Sequence, residues 1–267
     1  MVSVERIKES IESLHQQKNK ELLAIGLSAA QLEPQFNCKL CSDTGFVSGK
    51  RCECFYTLYK IENSKNIPAA IGDDLCTFQT FKTSFYPEKD EKGEPCRKYM
   101  ETIFSICRDY AEKVGNNAGN LLLLGKTGLG KTHLSIALAK RVSERGLSVK
   151  YTSAQGLIDC FERTRFGRNP SDSDWNSVTM ANNADLLIID DMGSEFVTSF
   201  SQSVLYNIIN ERIMSGKETV ISTNLDTAKL ASTYEQRISS RVLCGYKALQ
   251  FVGKDIRLQK RINKFSN

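Results

Sequence analysis

Four consecutive leucines, Leu121–Leu124, run directly into the sequence GKTGLGKT, and apolar residues at helical spacing follow. A buried strand, a glycine-rich loop and a helix in this order form the context in which a G-x-x-x-x-G-K-T motif binds phosphate. Successive backbone N–H groups of such a loop turn toward a polyphosphate, with the N-terminus of the helix behind them. The loop therefore predicts a binding site for a nucleoside triphosphate.

Two residues of this loop have separate predicted roles. Lys131 is expected to reach the β- and γ-phosphates, and Thr132 is expected to hold Mg²⁺ through its hydroxyl. The loop residues that we expect to contact the nucleotide are Gly125, Lys126, Thr127, Gly128, Leu129, Gly130, Lys131, Thr132 and His133.

Two further apolar stretches end in polar residues that suit the same site. The sequence DLLIIDD at 185–191 predicts a buried strand that ends in Asp190 and Asp191. Ligands bind at the carboxyl ends of the strands in open parallel sheets, so Asp190 is expected to hold Mg²⁺, directly or through water. Asp191 lies where a base or a water-positioning residue is required. The sequence TVISTN ends in Asn224, which can hydrogen-bond the attacking water or the γ-phosphate.

From about residue 99 onward, predicted strands alternate with helices of ten to fifteen residues. This alternation is typical of a parallel sheet that helices cover on both faces, which makes the fold class α/β. The predicted strands are 120–124, 148–153, 185–190 and 218–223. The predicted helices are 99–115, 131–145, 154–164 and 199–215, with two or three short helices after the last strand.

The first hundred residues have a different composition. Helical spacing of apolar residues predicts a helix over 3–25, which either packs on a neighbouring element or docks on a partner. Residues 83–98 are polar and contain two prolines and a glycine, as linkers often do. We predict an N-terminal module at 1–70, a linker at 71–98 and an ATPase domain at 99–267.

Four of the nine cysteines lie within 17 residues, as Cys38-x-x-Cys41 and Cys52-x-Cys54. This spacing favours tetrahedral Zn²⁺, because each short turn supplies two thiolates. The alternatives are two disulfides or four unrelated thiols, and a cytosolic location does not favour disulfides. A closed shell of four thiolates leaves no open position, so the predicted zinc is structural.

The ordered set of motifs resembles the AAA+ ATPases of the bacterial helicase-loader group, DnaC and DnaI, over roughly residues 77–262. The segment YEQRISSRVL resembles the box that carries the arginine finger of that group, and FVGKDIR resembles its sensor 2 segment. The resemblance implies that Asn224 is sensor 1, Arg241 the arginine finger and Arg257 the sensor 2 arginine. Arg237, one helical turn from Arg241, competes for the role of the finger.

The resemblance also implies a P-loop AAA+ domain with three layers and a short C-terminal helical lid, and ATP as the nucleotide. Many AAA+ proteins have Glu after the Mg²⁺ aspartate, whereas this chain has Asp191. The shorter side chain suggests slow, switch-like ATP hydrolysis. Glu195, in the loop just beyond, is an alternative water-positioning residue.

The function that the resemblance implies is helicase loading. The implied partners are a hexameric replicative helicase of the DnaB type, single-stranded DNA, and further copies of the chain at the ATP interface. Arg163, Arg165 and Arg168 surround Phe166 in a loop that either grips single-stranded DNA or is a solvated basic loop.

Two other functions compete with this one. The first is a transposition ATPase of the IstB type, which shares the AAA+ core and works with a transposase. The second is a metabolic P-loop kinase, which requires a small-molecule pocket and a lid, whereas this sequence offers sensor and finger arginines. No run approaches 18 apolar residues and the N-terminus lacks the apolar core of a signal peptide, so we expect a cytoplasmic protein without a membrane partner.

Overall fold

The computed structural model describes residues 4–26, 34–64, 67, 76–90, 92–167 and 170–259. The chain divides into two compact units, Met1–Tyr56 and Thr57–Asn267. Among the helices of the described residues, none combines the length and the apolar character needed to cross a membrane.

The first unit contains a long helix and a small hairpin. Helix α1 (Val4–Ala24) confirms the predicted N-terminal helix. Leu22 on this helix is buried, whereas Val4, Ile7, Ile11 and Leu14 are exposed. Strands β1 (Phe46–Val47) and β2 (Lys50–Arg51) pair antiparallel, and helix α2 (Glu53–Ser64) begins directly after them.

The second unit is an α/β domain. Its helices are α3 (Cys96–Lys113), α4 (Lys131–Glu144), α5 (Ala154–Phe166), α6 (Asp172–Asn183), α7 (Ser199–Met214), α8 (Thr227–Thr233) and α9 (Gln236–Gly245). Its strands are β3 (Leu121–Leu124), β4 (Val149–Ser153), β5 (Leu186–Met192), β6 (Glu218–Thr223) and β7 (Lys247–Gln250).

The five strands of this domain form one sheet in the order β4-β5-β6-β3-β7, and every neighbouring pair is parallel. Side chains of a strand alternate between the two faces, so the apolar run of β3 serves both. Leu121 and Leu123 join the hydrophobic cluster that includes α3 and α4, and Leu122 and Leu124 join the cluster that includes α5 and α7. This three-layer arrangement confirms the predicted fold class.

Two elements differ from the sequence-based expectation. The structure places strand β7 where we predicted only short helices, and β7 pairs with β3 at the edge of the sheet. Of its four residues only Leu249 is buried, so β7 lacks the apolar run that marks the other strands. Helix α6 begins inside the polar stretch 166–174, where Ser171 and Asp174 form a capping box. This helix buries only Ala181, which explains why its periodicity is weak.

The described part of the predicted linker 71–98 lies within the second unit and contributes to its core. Phe81, Tyr86 and Cys96 are buried in the cluster that contains α3 and α4. Residues 71–75 lie outside the described residues, so the domain boundaries stay a prediction. After β7 the described residues end with a helical turn at 256–259, and the rest of the predicted lid lies beyond them.

Candidate nucleotide-binding site and metal centre

The phosphate loop lies between β3 and α4, as the sequence predicts. Gly125 and Gly130 have φ angles of +147° and +89°, which only glycine adopts readily. A Cβ atom at Gly125 would lie 2.8 Å from the backbone oxygen of Phe251, and one at Gly130 would lie 2.9 Å from the hydroxyl of Tyr86. These two glycines are therefore required by the backbone conformation and by close neighbours.

Lys131 lies at the centre of this loop and is almost fully buried. Its Nζ donates to the backbone oxygens of Gly125 at 2.6 Å and Lys126 at 3.0 Å, and to Oδ1 of Asn224 at 2.6 Å. Burial lowers the pKa of Lys131, and the nearby carboxylates of Asp191 and Asp190 oppose this shift. The ammonium is thus held between the loop and the end of β6.

Asp190 is a buried carboxylate that accepts hydrogen bonds from three hydroxyls. The Thr132 Oγ1 lies 3.2 Å and the Tyr151 hydroxyl 2.8 Å from its Oδ2, and Ser222 Oγ donates to Oδ1. Strand alternation explains this meeting, because Leu186, Ile188 and Asp190 share the face on which α4 packs. Carboxylate and hydroxyl oxygens are ligands that suit Mg²⁺, so Thr132 and Asp190 fit the predicted metal site.

Asp191 points toward the same site only because the strand is irregular. The register changes from Ile189 opposite Ile221 to Met192 opposite Thr223, so both aspartates lie opposite Ser222. Asp191 has a φ of +58°, a left-handed conformation that Asp adopts more readily than most residues. Its Oδ1 accepts a hydrogen bond from Asn224 Nδ2 at 3.0 Å. Asn224 therefore links Lys131 to Asp191.

The carboxylate of Glu195, the alternative water-positioning residue, is engaged elsewhere. Its Oε2 accepts the backbone N–H of Gly193 at 2.7 Å, and its Oε1 accepts the hydroxyl of Tyr234. Burial raises the pKa of Tyr234, and the hydrogen bond to Glu195 adds to the effect. Glu195 thus connects the loop after β5 to the segment before α9.

A cavity of about 340 Å³ opens over the phosphate loop. The predicted site residues that line it are Thr127, Gly128, Gly130, Lys131, Thr132, His133, Asp191, Asn224 and Arg257. Three predicted loop residues do not line the cavity, namely Gly125, Lys126 and Leu129. The backbone carbonyls of Gly125 and Lys126 accept hydrogen bonds from the Lys131 ammonium, and that of Leu129 accepts one from the Tyr86 hydroxyl.

One wall of the cavity comes from residues that sequence reasoning missed. Its members are Cys76, Thr80, Phe81, Lys82 and Phe85, together with Ile256. His133 ties this wall to α4, because its Nε2 lies 2.8 Å from the backbone oxygen of Thr77 and its ring packs edge-on against Phe81. The aromatic residues of TFQTF at 77–81 were the available signal, but no motif spacing connected them to the phosphate loop.

The two candidate finger arginines lie on α9 and do not line this cavity. Arg241 donates to Asn210 Oδ1 at 2.9 Å and to the backbone oxygen of Arg237 at 3.0 Å. Both guanidinium groups lie over the ring of Tyr206, at 4.7 Å for Arg241 and 4.6 Å for Arg237. Arg237 also pairs with Glu235 at 2.7 Å.

The basic segment that we predicted as a loop is largely helical, because Arg163, Arg165 and Phe166 lie at the C-terminal end of α5, while Arg168 lies outside the described residues. Arg163 forms an ion pair with Asp174 at 2.9 Å, so one of the predicted DNA-binding cations already has an acidic partner. The guanidinium of Arg165 lies 5.4 Å from the centre of the Phe166 ring. Phe166 is exposed and packs against Phe200.

In the first unit, the sulfur atoms of Cys38, Cys41, Cys52 and Cys54 all lie within 4.8 Å of one another. The Cys38–Cys52 and Cys41–Cys54 sulfur atoms are 3.8 Å and 3.3 Å apart, and all four cysteines are free thiols. Zn–S bonds of about 2.3 Å in a tetrahedron require sulfur atoms about 3.8 Å apart. The four cysteines could therefore hold a metal ion, and they fit zinc.

Backbone contacts shape the turns around these thiols. Asp43 accepts the backbone N–H of Cys38 at 2.8 Å and that of Asn37 at 3.0 Å, which lowers the pKa of its carboxyl. The backbone N–H groups of Cys41 and Leu40 lower the pKa of Cys38 to about 7. The hydrogen bond with Cys41, together with burial, raises the pKa of Cys54, so metal binding would have to displace the proton of that thiol.

A phosphate loop followed by a helix, with carboxylates and an asparagine at the carboxyl ends of neighbouring parallel strands, defines an AAA+ ATP-binding domain. Residues 110–262 match the family of IstB-like ATP binding proteins, which is more than half of the chain. The chain belongs to this family.

Relatives of known function and solved structure agree with this assignment. The replicative helicase loader DnaC of Escherichia coli (strain K12) is 24% identical over 170 residues, which are 64% of this chain and 64% of that protein. A crystal structure of the DnaC helicase loader superposes with a TM-score of 0.55 at 22% identity and covers 68% of this chain and 100% of that one. AMPPCP-bound DnaA from Aquifex aeolicus gives a TM-score of 0.52 at 21% identity, over 72% of this chain and 56% of that one. At this identity the superpositions show the fold.

Proposed function

We propose that this chain is a helicase loader, a replication ATPase that uses ATP binding and hydrolysis to place a replicative helicase on single-stranded DNA and to release it. The observation that carries the proposal is the similarity of its ATP-binding domain to the replicative helicase loader DnaC. The chain aligns with 64% of that protein, which is less than two thirds of its length.

The residues of the site suit ATP hydrolysis. In this proposal Lys131 and the backbone of the phosphate loop bind the β- and γ-phosphates, and Thr132 and Asp190 hold Mg²⁺. When bound, Mg²⁺ neutralises charge that develops on the transferred phosphoryl group. Asp191 and Asn224 orient the attacking water, and Arg257 contributes a cation from the cavity wall. The short carboxylate of Asp191 makes hydrolysis slow and switch-like.

Hydrolysis in this proposal requires a neighbouring copy of the chain. Arg241 lies outside the cavity of its own subunit, as an arginine finger that acts on the next subunit must. Charge on the transferring phosphoryl group makes such a trans arginine effective. ATP-bound subunits thus assemble side by side, and Arg237 is the alternative finger.

The proposed partners are the replicative helicase and single-stranded DNA. The exposed apolar residues of α1 and the four-cysteine module bind the replicative helicase, a hexamer of the DnaB type. Arg165 and Phe166 contact single-stranded DNA, since a guanidinium beside an exposed ring suits stacked bases and backbone phosphates. These activities place the protein in the cytoplasm.

A second candidate is a transposition ATPase that works with a transposase. The name of the matching family, IstB-like ATP binding protein, is the observation that favours it. The four-cysteine module and helix α1 favour the helicase loader.

Co-purification of the full chain separates the two candidates. The chain is mixed with the hexameric replicative helicase of the same cell, in the presence and absence of ATP, and the complex is measured by size-exclusion chromatography with mass determination. We expect a stable complex with the helicase. A chain that ignores the helicase and instead binds a transposase encoded beside it would overturn the loader proposal.

A further inference from the structure

Tyr151 is a residue of β4 whose hydroxyl lies against the proposed metal site. Its Oη donates to Asp190 Oδ2 at 2.8 Å, the same oxygen that accepts the Thr132 hydroxyl at 3.2 Å. Ser222 donates to the other oxygen of Asp190. The carboxylate is thus fixed by three hydroxyls from β4, α4 and β6.

The backbone positions Tyr151 for this contact. Ser153 lies opposite Asp190 in the parallel pair of β4 and β5, and Tyr151 lies opposite Ile188 on the face that α4 covers. A tyrosine two residues before the partner of Asp190 therefore reaches along the sheet to the carboxylate. The ring of Tyr151 is buried in the core, so the hydroxyl has a fixed place.

A carboxylate near a metal ion is effective only in the right orientation. Hydrogen bonds to ligating groups set that orientation, and their loss typically weakens metal binding by about 10- to 100-fold. Thr132 is itself a predicted Mg²⁺ ligand, so its hydroxyl would be engaged by the ion. Ser222 and Tyr151 are the two described donors that remain to hold Asp190 when Thr132 turns to the metal.

We propose that Tyr151 is a positioning residue that holds Asp190 in the orientation required for Mg²⁺ to bind together with the nucleotide. In this proposal Tyr151 contributes to nucleotide binding only when Mg²⁺ is present. The contacts of the phosphate loop with the phosphates do not depend on it. The inference rests on the proposed ATP site.

The test compares Tyr151→Phe with the wild-type chain in binding a fluorescent ATP analogue, first in EDTA and then across a Mg²⁺ titration. Tyr110→Phe is a matched control, because Tyr110 is also buried in this domain and its hydroxyl bonds to the backbone oxygen of Gly119. We expect Tyr151→Phe to bind the analogue in EDTA as the wild type does. We expect it to require about 10-fold more Mg²⁺ for half of the metal-dependent gain in affinity.

The possible outcomes distinguish the proposed role of Tyr151 from the proposed ATP site itself. An unchanged Mg²⁺ requirement in Tyr151→Phe, or a loss of affinity that is equal in EDTA and in Mg²⁺, would overturn the role of Tyr151. A wild-type chain that binds no analogue under either condition would overturn the ATP site as well. A shift that also appears in Tyr110→Phe would show a general effect of deleting a buried hydroxyl and would likewise overturn the inference.

Discussion

Asp190 and Asp191 are neighbours in the chain, and regular strand alternation would send their side chains to opposite faces of the sheet. The irregular register of β5 removes this conflict, because both residues lie opposite Ser222 and Asp191 takes a left-handed conformation. One carboxylate then reaches Thr132 and the other reaches Asn224. Two carboxylates on adjacent residues thus face the same site.

This geometry predicts different effects for Asp191 and Glu195. Asp191→Asn should keep ATP affinity but lower turnover by about 100-fold, since a positioned base contributes about 10²–10⁴ in rate. Glu195→Gln should keep turnover and lower the free energy of unfolding by about 1–3 kcal/mol, because the buried hydroxyl of Tyr234 loses a charged partner. Steady-state ATP hydrolysis and thermal unfolding measure the two effects. The reverse pattern would make Glu195 the residue that positions water.

Motif spacing predicts candidate residues of the phosphate loop, but it does not predict the contacts that support them. Lys131, Thr132 and Asp190 follow from motif spacing, since each has a fixed place relative to a strand end. Tyr151 and Ser222 carry no such signal, because their contacts to Asp190 arise from strand register. A pattern of apolar residues also does not predict the left-handed conformation of Asp191.

Both candidate finger arginines lie on helix α9, and their guanidinium groups lie over the ring of Tyr206. Arg241 is further fixed by Asn210 and by the carbonyl of Arg237, whereas Arg237 pairs with the exposed Glu235. An exposed ion pair of this kind contributes little and is easily exchanged for another partner. In the proposed assembly, we therefore expect the better-fixed guanidinium of Arg241 to act on the neighbouring subunit.

Arg241→Ala is expected to leave ATP binding intact and to lower assembly-dependent turnover by about 10³-fold, since trans arginines contribute about 10³–10⁵ in rate. Turnover is measured across a range of protein concentrations, because the effect should appear only where subunits meet. Arg237→Ala is the matched control, with the same charge removed one turn away. Normal turnover in Arg241→Ala together with a loss in Arg237→Ala would assign the finger to Arg237.

The four-cysteine hairpin is an element too small to fold on apolar burial alone. We expect the purified chain to contain one zinc per molecule, and we expect a chelator to abolish amide protection over 38–54, because metal binding supplies the folding free energy. Hydrogen exchange with mass spectrometry measures this protection, and nucleotide affinity serves as the control that should not change. Protection that survives proven removal of zinc would contradict the assignment.

Elements with a continuous apolar run or clear periodicity were predicted with their type and approximate bounds. Strand β5 and helix α4 are buried along much of their length, so their sequences carry the signal. Strand β7 and helix α6 were missed, because each buries a single side chain and depends on tertiary contacts or on a capping box. The segment 76–98 was predicted as part of a linker, because its buried aromatic residues are scattered among polar residues.

At the scale of the whole chain, the resemblance that the motifs carry identified the correct family, and the parallel order of strands confirmed its fold. The order of strands places β3, β5 and β6 side by side at the centre of the sheet. Their carboxyl ends therefore bring the phosphate loop, Asp190 and Asn224 together from segments about a hundred residues apart. Partners and assembly lie beyond this inference, because they depend on surfaces rather than on buried patterns.

Helicase loading onto a closed circle of single-stranded DNA tests the proposed function most directly, since a ring can enter a circle only if it is opened. The full chain, the replicative helicase and circular DNA are incubated with ATP, and helicase that resists a high-salt wash is quantified. We predict salt-resistant helicase with the wild-type chain and none with Lys131→Ala, which lacks the phosphate-binding ammonium. Helicase loading that is equal with and without the wild-type chain would contradict the proposal.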